Sequence, residues 1–188
     1  MAKAKILTKE EIKRVYAVIK DCSNARRNRL AFMLSTEGAM RIGEISKLRI
    51  GDLRELDGTA VKVINLRKEQ TKGNKGRRVF ISDMLRKEIT DYLMTVRQRD
   101  DADAVIRSMK TGKAFSNVTL CVLFTDMYKR AGIKTSSHSG RRTKATRLND
   151  LGVGMRTIQE VLGHQNIGTT ALYCDVTDAQ IEAAVNMR

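Results

Sequence analysis

The residues best suited to chemistry in this 188-residue chain gather in its last third, with two more upstream. The only two histidines are His138 and His164. His138 opens His138-Ser139-Gly140-Arg141, a histidine and an arginine three positions apart. His164 closes Leu162-Gly163-His164, and Tyr173 follows nine residues on. Upstream stand Arg41, in Ala39-Met40-Arg41-Ile42-Gly43-Glu44, and Lys72, in Thr71-Lys72-Gly73-Asn74-Lys75. These residue types suit metal-free cleavage of a nucleic-acid strand. A tyrosine hydroxyl, with a pKa near ~10, is a weak nucleophile at neutral pH and must be activated. Charge growing on the non-bridging phosphate oxygens must meet fixed donors, which arginine's planar fork supplies without losing its charge. The departing oxygen needs a proton from a general acid. Arg41, Lys72, His138, Arg141, His164 and Tyr173 together offer all of this.

Bulk composition agrees. Thirty-six Lys and Arg against 21 Asp and Glu give a formal charge of +15 and a pI near 10.1. Such a field attracts polyanions, nucleic acid before an anionic membrane surface. No apolar run approaches the length of a spanning helix and no secretory leader follows Met1, so a cytoplasmic protein is expected. Cys22, Cys121 and Cys174 are odd in number and lack metal-ligand spacing, which reads as inert thiols in a reducing compartment. Aromatics make up only 4% of the chain, with no Trp, which favours duplex DNA held by its phosphates over single strands held by stacking.

Most of the chain carries helical spacing. Thr8-Lys9-Glu10-Glu11 is a capping box before Ile12, Val15, Tyr16 and Ile19. A second helix is expected over about 24–37, stopped by Gly38, and a short third one from Arg41. Val61, Val63 and Asn65 alternate with Lys62 and Ile64, and 72–76 reads as a turn, so residues 60–81 predict a β-hairpin with a basic tip. Further helices are expected over 83–97, 117–130, 139–150, 155–162 and 178–187. The last carries Ile181, Ala184 and Val185 on one face, for its own core or for a neighbouring subunit. Asp100 to Asp103 reads as a solvated loop, and Met1 to Lys5 as a frayed basic start. The class is therefore mainly α with a small antiparallel β-hairpin (α+β), and the length fits a single domain over 1–188.

Taken singly, each residue has an ordinary reading. Arg41 can be a surface arginine, Lys72 a solvated turn lysine with Lys68 and Lys75 as rivals, His164 a helix-end cap and Tyr173 a core tyrosine. Taken in order, the four motifs resemble the tyrosine recombinase (phage integrase) family, from about Thr8 to the C-terminus. The resemblance implies that family's catalytic-domain fold and site-specific cutting and rejoining of double-stranded DNA. It implies Tyr173 as the nucleophile forming a 3′-phosphotyrosyl link, with Arg41 and Arg141 on the non-bridging oxygens. Lys72 would be the general acid for the 5′ oxygen, His138 the proton relay and His164 a phosphate donor. Glu44 would fix the geometry around Arg41. No metal and no cofactor follow, because the covalent link conserves the bond energy. Four subunits on two DNA sites are implied.

The chain departs from the family pattern at Gly140, where Leu is common and where packing behind His138 is expected to weaken. Arg142 stands where His or Lys is frequent. Lys144 replaces an aromatic and is expected to reach a phosphate. Only some 30 to 40 residues precede Arg41, so no separate N-terminal DNA-clasping domain is expected. Two other functions fit part of the pattern: a type IB topoisomerase-like nicking-closing enzyme, and a non-catalytic DNA-binding regulator on the same fold. Intact Arg41, Lys72, His138, Arg141, His164 and Tyr173 speak against the regulator.

Overall fold

The computed structural model describes residues 4–173 and 178–186. Helix α1 (Lys9–Lys20) starts at the expected capping box, with the Thr8 hydroxyl on the Glu11 amide and the Glu11 carboxylate on the Thr8 amide. Helix α2 (Ala25–Thr36) is buried nearly throughout its second half and forms the axis of the core. Its Phe32 ring meets Tyr16, Phe124 and Tyr128. The chain leaves α2 through Gly38 and Ala39. Ala39 has φ 50, a left-handed conformation uncommon for a residue with a Cβ. The turn drops directly into the one-turn helix α3 (Ile42–Ile45), with Arg41 as its N-cap.

Strands β1 (Val63–Leu66) and β2 (Arg77–Phe80) form the expected antiparallel hairpin, pairing Leu66 with Arg77 and Ile64 with Val79. The face differs from the expected alternation. Ile64, Leu66 and Val79 are buried while Asn65 is exposed. Period-two geometry forces this: once Ile64 and Leu66 take the core side, Asn65 must face water. The same rule puts Arg77 on the inner face with Val79.

Helices α4 (Asp83–Thr95) and α5 (Asn117–Arg130) follow, capped by Ser82 and Ser116. Helices α6 (Ser139–Asp150), α7 (Met155–Leu162), α8 (Ile167–Ala171) and α9 (Asp178–Asn186) complete the chain. The large apolar core spans α1 to α5 and the hairpin. A smaller one joins Ala39, Ala145, Ile158 and Leu162, with Tyr173 packed on it. Arg41, Arg141, His164 and Tyr173 lie where the two cores meet.

Several local expectations change. A Cβ on Gly140 would lie 2.6 Å from the Ser35 hydroxyl and 3.2 Å from the Ser35 Cβ. Gly140 therefore does not loosen the site; its missing side chain lets α6 close on α2. Lys144 does not reach out toward a phosphate, because its ammonium pairs with Glu37 at 3.2 Å. The start is held rather than frayed at Ala4 and Lys5, where the Lys5 amide donates to Thr135 at 3.1 Å and the Ala4 carbonyl accepts from Arg142 at 2.8 Å. The acidic run is ion-paired, Asp101 with Arg54 and Asp103 with Arg99 and Arg107. Cys22 and Cys121 are free and only partly buried; Cys174 lies outside the described residues. No helix among the described residues is long and apolar enough to cross a membrane.

Candidate active site

The site is organised by the C-terminal end of α7. Gly163 ends that helix at φ 60, where glycine alone carries no steric cost. A Cβ there would also sit 2.3 Å from Cδ of Arg77, so the arginine packs against a bare backbone. The last carbonyls of a helix lack partners within it and carry the negative end of its dipole. Here three arginines take three successive ones. Arg77 Nη1 donates to Val161 at 3.2 Å, Arg141 Nη2 donates to Leu162, and Arg41 Nη2 donates to Gly163 at 3.3 Å. Arg141 also donates to the carbonyl of Ala39, which its left-handed turn presents to α6.

One carboxylate joins two of these arginines. Glu44 is 1% exposed and accepts from Arg77 Nε at 3.1 Å, Arg77 Nη2 at 2.8 Å, Arg41 Nη1 at 2.9 Å and the Arg41 amide at 2.8 Å. Burial pushes its carboxyl up. The hydrogen bonds and charge of Arg77, the Arg41 amide and the charge of Arg141 outweigh that, so it is held below the usual carboxylate range. Three guanidiniums against one carboxylate leave a local excess of two positive charges. Burial first, then repulsion from Arg41 and Arg77, lowers Arg141 to about 9. It stays charged at pH 7, and an anion set among the three would relieve that repulsion.

His164 is 9% exposed, and its Nδ1 lies 2.9 Å from Oγ1 of Thr170, which is fully buried on α8. A buried hydroxyl must place its proton on an acceptor. With Thr170 as donor, Nδ1 is that acceptor and the imidazole proton is assigned to Nε2. Burial, then the charges of Arg141, Arg41 and Arg77, lower His164 to about 4. The ring is therefore a neutral hydrogen-bond donor at pH 7. Its folded-state pKa lies below the ordinary 6.5, so the stability tied to it is complete above that value and is lost as pH falls through about 4. With only two histidines in the chain, an NMR titration of the imidazoles is simple to assign. His164 is expected to stay neutral through pH 6; protonation above pH 6 would contradict the environment described.

Tyr173 follows α8. Its ring stacks on His164 with centroids 5.7 Å apart at 24°, and its carbonyl accepts from Thr146 at 3.4 Å. His138 is exposed at the N-cap of α6, one turn before Arg141. Lys72 is exposed at the hairpin tip. A Cβ on the next residue, Gly73, would lie 3.2 Å from the Gln165 side chain, so the tip sits over the segment just past His164.

The fold thus brings Arg41, Glu44, Arg141, His164 and Tyr173 into one cluster, while Lys72 and His138 stay exposed, on the hairpin tip and at the start of α6. Arg77 and Thr170 were missed by sequence reasoning. Arg77 was detectable in principle: it lies two residues before buried Val79, so a charged side chain shares the inward face of β2.

The profile of the phage integrase family matches residues 5–180. The chain is 32% identical over 183 residues to tyrosine recombinase XerA of Pyrococcus furiosus, covering 96% of this chain and 60% of that protein. A crystal structure of XerA recombinase superposes with a TM-score of 0.78 at 27% identity, over 100% of this chain and 67% of that one. A XerH site-specific recombinase bound to palindromic difH substrate in a post-cleavage complex gives a TM-score of 0.75 at 23% identity, over 99% of this chain and 53% of that one. The chain thus spans about 60% of the length of the XerA relative.

Proposed function

Because the chain belongs to the phage integrase family, we propose that it is the catalytic unit of a site-specific DNA recombinase, working in the cytoplasm on duplex DNA. The observation that carries this reading is the convergence of Arg41, Arg77 and Arg141 on the end of α7, with Glu44 paired to Arg41 and Arg77 and with His164 and Tyr173 alongside.

A phosphodiester carries one negative charge and gains another as an oxygen nucleophile adds to phosphorus. The local excess of two positive charges suits that transition state better than the ground state, which is what catalysis requires. Arg41 and Arg141 take the non-bridging oxygens, pre-oriented by bonds to helix-end carbonyls, and Arg77 stays on Glu44. His164 adds a neutral donor through Nε2. Tyr173 attacks phosphorus through its hydroxyl oxygen and becomes joined to the 3′ phosphate. His138 takes up the phenol proton, and Lys72, carried by the hairpin tip, protonates the leaving 5′ oxygen. Rejoining is the reverse.

Strand exchange between two duplexes needs four nucleophiles, so four copies are proposed to act together. Helix α9 suits contact between copies, since Ile181 and Val185 are 52% and 79% exposed.

A direct test uses a pool of nicked suicide duplexes with randomised arms, in which cleavage releases a short fragment and traps the enzyme on DNA. Covalent adducts surviving denaturant, enriched for a common inverted sequence, are expected. Adducts without sequence enrichment, together with relaxation of any supercoiled plasmid, would point to a nicking-closing enzyme. Tight binding without adducts would remove both readings.

A further inference from the structure

Arg142 follows Arg141 on α6 and faces a different way. It is 9% exposed, and among the described residues no carboxylate lies within ion-pair distance of it. Burying a cation is costly, so the contacts that hold it matter. Nη1 donates to the Ala4 carbonyl at 2.8 Å, Cζ stands 6.0 Å from the centroid of the Tyr173 ring, and the buried Nε has no partner among the described residues. The Ala4 carbonyl is itself fixed. The extended segment from Ala4 to Leu7 is pinned by the Lys5 amide on Thr135 and by the buried Leu7 amide on Thr143 at 2.8 Å. Thr146, one turn after Arg142, holds the Tyr173 carbonyl.

We propose that Arg142 is a positioning residue for Tyr173, held over the phenol face by the N-terminal strap, and that it eases ionisation of the phenol. This rests on the reading of Tyr173 as nucleophile. Arg142 differs from Arg141 in its target: the carbonyls of Ala39 and Leu162 orient Arg141 toward the phosphate position, whereas Arg142 lies over the ring. A cation over an aromatic face attracts its electrons and favours the negatively charged phenolate further. Other charged or titratable groups on this side among the described residues are His164, stacked on the ring and neutral, Arg141, and His138, proposed to take the phenol proton. None fills the place of Arg142: His164 and Arg141 belong to the phosphate side, and His138 acts on the proton as it leaves. The strap thereby gives the N-terminal end of the domain a physical hold on the nucleophile.

The test is the pH dependence of single-turnover cleavage on the trapped-substrate pool, with DNA affinity measured in parallel. Arg142→Gln is expected to bind DNA as the parent does and to cleave about threefold to thirtyfold more slowly at pH 7, the range of a partly desolvated cation–π contact. The deficit is expected to shrink as pH rises, because the rate then depends less on help with ionisation. Arg142→Lys keeps a cation and is expected to regain the parent's pH profile with a lower rate. It also serves as the deciding variant where the glutamine protein does not fold. An unchanged profile and rate in Arg142→Gln, or a deficit equal at every pH that lysine does not reduce, would overturn the proposal. Should Tyr173→Phe still form adducts, the underlying assignment of the nucleophile fails instead, which separates the two.

Discussion

Tyr173→Phe is expected to lose adduct formation by at least about 10³-fold while folding and binding DNA like the parent, because the proposed mechanism makes the hydroxyl the attacking atom and asks little else of it. The ring's contacts survive the change. Phenylalanine can still stack on His164, lie under Arg142 and present its carbonyl to Thr146. No other tyrosine can replace it. Tyr92 donates its hydroxyl to the Val105 carbonyl at 2.6 Å, Tyr128 is fully buried, and burial raises the phenol pKa of Tyr16, Tyr92 and Tyr128 alike. Retained cleavage at a tenth of the parent rate or more would place the nucleophile elsewhere.

Glu44→Gln is expected to be the most damaging change outside the reacting groups. The carboxylate satisfies both guanidiniums of Arg41 and Arg77 and the Arg41 amide in a place almost closed to water. Removing one member of a buried ion pair costs about 3–5 kcal/mol because the partners keep their charge. Here an amide N–H would also face donors. Urea denaturation is expected to show that loss, and cleavage by the folded fraction should drop about 10²-fold as Arg41 loses its anchor. The same carboxylate makes the protein acid-labile. Its folded pKa is below the ordinary 4.5, so its contribution is complete above that value and is lost as pH falls further. A glutamine variant with the parent's urea midpoint would show that the three-residue ion cluster holds nothing together.

Much of this was legible in the chain because the relevant signals are local. The capping box at Thr8, the stops at Gly152 and Gly163 and the hairpin around 72–76 involve residues that are neighbours in sequence. The six candidate residues could be selected because the proposed chemistry calls for all four of their types, Arg, Lys, His and Tyr. What could not be read depends on approach between distant segments. Gly140 looked like a defect, since nothing near it in sequence announces Ser35 against its backbone. Arg77 draws its meaning from Glu44, 33 positions earlier, and from Val161, 84 positions later, neither of them in its own stretch of sequence. Lys144 looked free until Glu37, 107 positions away, was found on it.

The most direct measurement is the chemical identity of the protein–DNA link. Trypsin releases Thr157–Arg188 as one peptide, in which Tyr173 is the sole tyrosine and Cys174 is its neighbour. Adducts trapped on suicide duplexes, digested with nuclease and trypsin and fragmented in a mass spectrometer, should carry a nucleotide joined through its 3′ phosphate to Tyr173. A link through a 5′ phosphate, or a nucleotide on Cys174 or on any other peptide, would contradict the account.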